Sequence, residues 1–298
     1  MICLIAISKY EIMMDRLTLS QLYFQACEIE LQAFKPGNVS VFSEGHDMTV
    51  ADFSISAKVS ADPISNPDYS LGEKIYFAVK ATREAVGCNT NLGIILLCAP
   101  LIQAVQNSAK QNPLRIALAK VLHNTTKQDA DWVFKAITLA APGGLGKSEQ
   151  QDVNDLPSVT LTEAMAIAAD KDRIALQYTN CFKDIFDFGL LEYNRAFVLS
   201  GDSGWAALTV FAKMLARFPD SHIERKYGKQ YSEWIAVEMT LLCNAMKTAN
   251  KLDEVLPKLF NIDKAFKAKK INPGTTADLT VATVLVALLE QLFSHDFD

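Results

Sequence analysis

Three absences narrow the field before any motif is considered. The six cysteines, Cys3, Cys27, Cys88, Cys98, Cys181 and Cys243, lie far apart without CxxC spacing. That argues against a zinc site and a disulfide framework, and for a reducing, cytoplasmic setting. Positive charge is not in excess: the formal net charge is -5. Binding to nucleic acid or to an anionic membrane face, which needs a basic patch, is therefore not expected, and a polyanionic substrate would need local cations or a metal. Long apolar runs are missing too. "LGIILLCAPLIQAV" and "LTVATVLVALLEQLF" are too short to span a bilayer and read as buried helices. The opening "MICLIAISKYEIMM" lacks a basic leader and a signal-length core, so residues 1–14 are expected as a frayed extension.

Strand-like alternation is also scarce, whereas helical periodicity is everywhere. Leu19, Leu22, Ala26, Ile29 and Ala33 recur at steps of three and four, with Thr18 and Gln21 at capping-box spacing. The same pattern gives helices near 49–60, 71–86, 92–106, 113–123, 128–140, 161–188, 204–217, 231–249, 251–268 and 276–293. Pro100 is expected to kink the fourth of them. The chain, 298 residues and 50% apolar, can bury a large core. The expectation is an all-α fold, with residues 15–298 as a single helical domain around one core. The Gly-rich stretch 142–157 is the best candidate for a long loop.

Several polar constellations stand out against this background, each with a structural alternative. In "FKPGNVSVFSEGHDMTVADF", Lys35, Asn38, His46, Asp47 and Asp52 crowd around two glycine turns. Thr49 and Asp52 have capping-box spacing, and Asp47 could cap instead. Lys35 and the His46–Asp47 pair before a helix are the residues that capping leaves over. Ser70 and Glu73 read as a structural capping box. Asn89, Thr90 and Asn91 lead into a buried helix at Gly93; Asn91 suits an N-cap, and a phosphate-binding helix start would look the same.

"GGLGKS" is not a nucleotide P-loop, because Ala141 stands where that motif needs its first glycine and the flanking segments read as helix and loop. In "LTEAMAIAADKDRIALQY", Thr160 and Glu163 open a helix whose apolar face includes Asp172, a carboxylate that burial would oblige to pair or to coordinate. Arg173 and Gln177, one turn apart, could be a surface pair. "FPDSHIERKYG" sets Asp220, His222, Arg225 and Lys226 after a proline, as a solvated helix end would. In "INPGTTADLT", Thr275 or Thr276 is placed to cap the last helix and Asp278 to sit in its first turn. Asp202 in "SGDSGW" has the same ambiguity.

In their order and spacing, "KPGNVS", "GHDM", "AVKAT" with "NTNLG", "RIALQY", "PDSHIERKYG" and "NPGTTADL" resemble the triphosphoribosyl-dephospho-CoA synthase family, over about Leu19 to Leu289. The resemblance implies an all-α transferase in which the 2′-hydroxyl of dephospho-CoA attacks the ribose C1′ of ATP and expels adenine. An oxocarbenium-like state of that kind calls for carboxylates and a base on the hydroxyl, and the triphosphate calls for cations.

On that basis Asp47 and Asp172 are expected as catalytic groups, and Asp47, Asp52 and Asp278 as ligands of Mg²⁺. Lys35, Asn38, His46, Asn89, Thr90, Asn91, Arg225, Lys226, Thr275 and Thr276 are expected on the nucleotide and its phosphates. The match is incomplete: citrate-lyase members place His-Lys-Gly after the Asn-Thr pair, where Asn91, Leu92 and Gly93 stand here, and an acidic residue where Ser40 stands. "APGGLG" and "AADKDRIALQY" are more similar to a branch in archaea and methylotrophic bacteria, associated with tetrahydromethanopterin-linked one-carbon metabolism. A different nucleotide or phosphoribosyl substrate is the alternative on that branch, and a non-catalytic nucleotide-binding protein is the third reading.

Overall fold

The structure is a computed structural model that describes residues 2–43, 48–108, 113–141, 156–249 and 251–294. Among these residues the architecture is all-α, and the lone antiparallel bridge, Ser40 to Ser43, belongs to a turn. The helices are α1 (Ile2–Gln32), α2 (Val50–Ile64), α3 (Leu71–Val86), α4 (Leu92–Gln106), α5 (Leu114–His123), α6 (Lys127–Ala140) and α7 (Leu161–Ala168). They continue with α8 (Arg173–Asn180), α9 (Leu190–Ser200), α10 (Ser203–Arg217), α11 (Ser221–Tyr227), α12 (Ser232–Thr248), α13 (Leu256–Ala268) and α14 (Gly274–Ser294). No helix of the described residues is long and apolar enough to cross a membrane.

Apolar residues on every side bury α4 and α14, as expected for helices without a polar face. The two pack on each other, and α14 also packs on α1, α9 and α10, so these helices form the centre of one core. Local signals set many of the outer helices. Thr49 with Asp52, Ser70 with Glu73, Thr126 with Asp129, and Thr160 with Glu163 all close as reciprocal capping boxes.

Other local expectations are corrected. Helix α1 runs from Ile2 to Gln32, so Thr18 lies inside it and caps nothing. The single helix expected over 161–188 is broken twice. It stops at Ala168 because the Asp172 side chain captures the amides that a continuous helix would have used, and α8 starts afresh there. It stops again where Cys181 and Phe182 both take φ +56°, after which a π-helical turn, Ile185–Gly189, leads into α9. Asp172 is therefore a cap and not a member of an apolar helical stripe.

Candidate functional site

The starts of α8, α11 and α14 are tied together by side chains. Asp172 Oδ1 accepts from the amides of Ile174 and Ala175 at 2.8 and 3.1 Å, while its Oδ2 accepts from Arg225 of α11 at 2.5 Å. The Arg173 amide donates to Ser221 Oγ at 3.2 Å, and Ser221 Oγ lies 3.0 Å from Thr275 Oγ1. Asp220 is the knot. Its Oδ1 takes the amides of His222 and Ile223, and its Oδ2 takes the amide and the hydroxyl of Thr276, both at 2.7 Å. Burial pushes the Asp220 carboxyl up, while the Thr276 bonds favour its ionised form.

These bonds change the roles of several expected residues. The first turn of α14 is capped by Asp220, 56 positions away in the chain, rather than by Thr275 or Thr276. Thr276 is a donor to Asp220, and Thr275 accepts from the His222 amide at 3.2 Å. The first-turn amides of α8 and α11 that would face a phosphate are already taken by Asp172, Asp220 and Ser221, so bare helix starts are not what this junction offers an anion.

Asp278 is what the junction leaves open. It lies on α14 against the first turn of α4, so close that a Cβ on Gly93 would run into its Oδ2. No donor among the described residues bonds its carboxylate, and the side chain keeps partial contact with solvent. Desolvation pushes this carboxyl well above the usual range; Glu30, Asp220 and Asp172 push it the same way, and Arg225 opposes them. Arg225 in turn has a buried Nε with no acceptor. An unpaired carboxylate raised by three like charges and lowered by Arg225, whose buried Nε has no acceptor, makes this junction the candidate site.

The remaining expected residues fall into two groups. Asn38 reaches the site, its amide donating to Asn272 Oδ1 at 2.8 Å just ahead of α14, and the Gly37 amide donates to Asp263 of α13 at 2.8 Å. Only glycine suits that turn, since φ is +79° and a Cβ would meet the Ile271 carbonyl at 2.7 Å. Asn89, not Asn91, caps α4, accepting from the Leu92 amide at 3.1 Å. Asn91 turns inward to Ser60 Oγ at 3.2 Å and Thr90 bonds Ser56 Oγ at 2.6 Å, both inside the polar seam that joins α2 to α4. Lys226 is exposed over the Tyr227 ring.

Lys35 and Asp52 are accounted for by scaffold. Lys35 is fully buried, and its ammonium donates to the carbonyls of Glu30, Ala33 and Val39 while pairing with the Glu30 carboxylate at 3.2 Å. It locks the end of α1 and has no donor left for a phosphate. Burial draws both partners toward neutrality and their mutual attraction opposes it. Asp52 is exposed and committed to its capping box, whose bonds hold its carboxyl below the usual range. His46 and Asp47 lie outside the described residues, as does the "GGLGKS" loop, although the segment before that loop is helix α6 and not the strand a P-loop needs.

Two features escaped the sequence reading. Gln177, expected with Arg173 as a surface pair, is fully buried and bonds Asp184 at 2.7 Å, while Arg173 pairs with the same carboxylate at 2.9 Å and lies on the Phe218 ring at 3.9 Å. This network fixes the first turn of α8 from below. The other is Glu30, whose place two positions before the α1 terminus gave no hint that its charge bears on Asp278.

Residues 16–297 match the CitG family of ATP:dephospho-CoA triphosphoribosyl transferases. A crystal structure from Archaeoglobus fulgidus, described provisionally as a triphosphoribosyl-dephospho-CoA synthase, is similar with a TM-score of 0.58 and 24% identity, over 79% of this chain and 97% of that one. That likeness concerns the fold. No curated protein sequence matches the chain. With nearly the whole length matched, the chain belongs to the CitG family of triphosphoribosyl-dephospho-CoA synthase-like transferases.

Proposed function

We propose that this transferase moves the 5-triphosphoribosyl group of ATP to the 2′-hydroxyl of dephospho-CoA and releases adenine. Family membership supports the reaction class. The observation that carries the reading in this chain is Asp278, which no described donor bonds and whose carboxyl is raised by burial and by the charges of Glu30, Asp220 and Asp172, with Arg225 opposing them. The oxygen of the acceptor bonds to C1′, the C1′–N9 bond breaks, and adenine leaves with that electron pair and gains a proton. Positive charge builds on the ribose in passing, and the carboxylates at the junction stabilise it. Arg225, held by Asp172, would offer its remaining donors to the phosphates.

The residues fit one Mg²⁺ that arrives with the triphosphate. Among the described residues no three His, Cys, Asp or Glu groups form a closed metal cage. Mg²⁺ commonly uses one or two carboxylates and completes its shell with water and phosphate. Asp278, which no described donor bonds, would hold it, and its raised carboxyl marks a place where positive charge is wanted. When bound, the ion would neutralise the triphosphate. Asp52, spent on its cap, is not part of this set. Small-molecule nucleotide substrates of this kind support a cytoplasmic setting for the proposed reaction.

Free adenine detected by mass spectrometry, after incubation with ATP, Mg²⁺ and dephospho-CoA and with each omitted in turn, tests the proposal. Adenine and the triphosphoribosylated product that need all three would support it. A second reading rests on Leu92, which is buried where citrate-lyase members of the family carry the lysine of His-Lys-Gly. It takes a different acceptor, linked to tetrahydromethanopterin metabolism. ATP that protects the protein thermally yet stays intact with dephospho-CoA would favour that second reading.

A further inference from the structure

The transfer brings two polyphosphates to one junction. Arg225 and a metal ion serve the triphosphate of ATP, which leaves the diphosphate of the acceptor without a cation in a chain whose formal net charge is -5. Only a local gathering of positive charge can meet it. One lies at the edge of the junction, where the end of α11 meets the turn between α13 and α14. Tyr227, the last residue of α11, donates its hydroxyl to the carbonyls of Lys269 and Lys270 at 3.2 and 3.0 Å. This clasp sets Lys226 beside Lys269 and Lys270, from a distant part of the chain.

The Lys226 ammonium lies 5.2 Å from the centre of the Tyr227 ring, and that of Lys269 lies 5.9 and 5.7 Å from those of Tyr231 and Trp234. Lys226, Lys269 and Lys270 are exposed, and no carboxylate of the described residues pairs with any of them. The ion pairs nearby belong to Arg225 with Asp172 and to Lys267 with Asp263, while Glu224 of α11 accepts from Ser232 at 2.8 Å. The lysines also border the site. Lys226 follows Arg225, and only Ile271, Asn272 and Pro273 separate Lys270 from the start of α14.

Lys270 is the informative member. Its amide donates to Lys267 and the amide of buried Ile271 donates to Phe266, both at 2.9 Å, which closes α13 with the two bonds of a Schellman turn. Lys270 takes φ +54° in that turn, a place usually held by glycine because a Cβ strains the left-handed conformation. A lysine there gives up stability to keep an ammonium, and strain retained beside a site points to a use.

We propose that Lys226, Lys269 and Lys270 form a rim that binds the diphosphate of the acceptor substrate at the edge of the junction. The assignment rests on the triphosphoribosyl transfer proposed above. No bond of that diphosphate forms or breaks in the transfer, so its cations need only hold it. Lysines suit the task, as flexible point charges that follow a phosphate without imposing the fixed fork of an arginine.

The test measures adenine release and thermal unfolding in the wild type, in Lys270→Gly, and in a triple variant that adds Lys226→Gln and Lys269→Gln. Lys270→Gly should raise the KM for dephospho-CoA about three- to tenfold while leaving kcat and the KM for ATP nearly unchanged. It should also unfold about 1–3 °C above the wild type, because glycine relieves the left-handed residue. A gain in stability together with a loss of acceptor binding is a result that a structural role would not give. The triple variant should raise the KM for dephospho-CoA on the order of 10- to 100-fold and flatten its dependence on salt. A KM for dephospho-CoA within about twofold of the wild type in the triple variant overturns the rim, and so does a KM for ATP that rises as much. Should the triple variant not fold, Lys270→Gly decides alone by the same measures. Wild-type protein that releases no adenine with dephospho-CoA overturns the transfer itself. Equilibrium dialysis of dephospho-CoA then judges the rim separately: weaker binding by the triple variant supports it, and equal binding, or none by the wild type, overturns it.

Discussion

Asp278 and Gly93 touch across the α14–α4 contact, and the carboxylate occupies the space in which any larger residue at 93 would place its Cβ. The pair explains why a helix as apolar as α4 carries a glycine in its first turn: that turn must let a charged side chain approach the backbone. Gly93→Ala should accordingly cost about 1–3 kcal/mol of stability through overpacking and displace Asp278. Chemical denaturation and adenine release measured on the same variant should both show the damage.

Asp278 is expected to trade stability for function. Its folded carboxyl is raised above its unfolded value, so the folded state binds the proton more tightly, and stability is lost as pH rises from the unfolded value through the folded one. Asp278→Asn removes that penalty. The variant should unfold a few °C higher than the wild type near neutral pH, by an amount on the order of 1–3 kcal/mol, and the difference should vanish below the unfolded pKa of about 4. Adenine release should be lost. Thermal unfolding across pH, without ligand, reads the first part, and a wild type that is the more stable near neutrality would sink it.

Asp172 holds a helix and an arginine with different oxygens, and two substitutions separate those duties. Asparagine is as good an N-cap as aspartate, so Asp172→Asn should leave α8 nearly intact while loosening Arg225. Asp172→Ala should lose the cap as well, about 1 kcal/mol more. Weaker MgATP protection in both variants, with a clear stability deficit only in the alanine variant, is the expected pattern in calorimetric unfolding.

Lys35 supplies the contrast. Every donor on its ammonium faces a protein oxygen, so Lys35→Met should destabilise by about 3–5 kcal/mol by stranding the buried Glu30 carboxylate. The folded fraction should still bind MgATP with wild-type affinity, measured by equilibrium dialysis against the folded content seen by circular dichroism. A selective loss of MgATP binding would restore the lysine to the phosphate site.

What the sequence determined by itself was whatever is encoded within one or two helical turns. Thr49 and Asp52, Ser70 and Glu73, and Thr160 and Glu163 announce their helices because both partners of each capping box are three residues apart, and the apolar periods of α4 and α14 announce the core. The order of the motifs was enough to indicate the family. Tertiary structure alone decided which polar residues are scaffold and which are left exposed to chemistry. Asp220 caps α14 and Asp172 holds Arg225 across more than fifty residues, and no local spacing encodes either bond. Lys35 looked like a phosphate ligand because its sequence neighbours do not reveal the carbonyls that surround it. Asp278 was expected in the first turn of the last helix and, through the family resemblance, on Mg²⁺, but its neighbours in the chain do not show that no protein donor meets it. Its significance comes from a donor it does not have, and a missing partner becomes visible only when every neighbour has been placed.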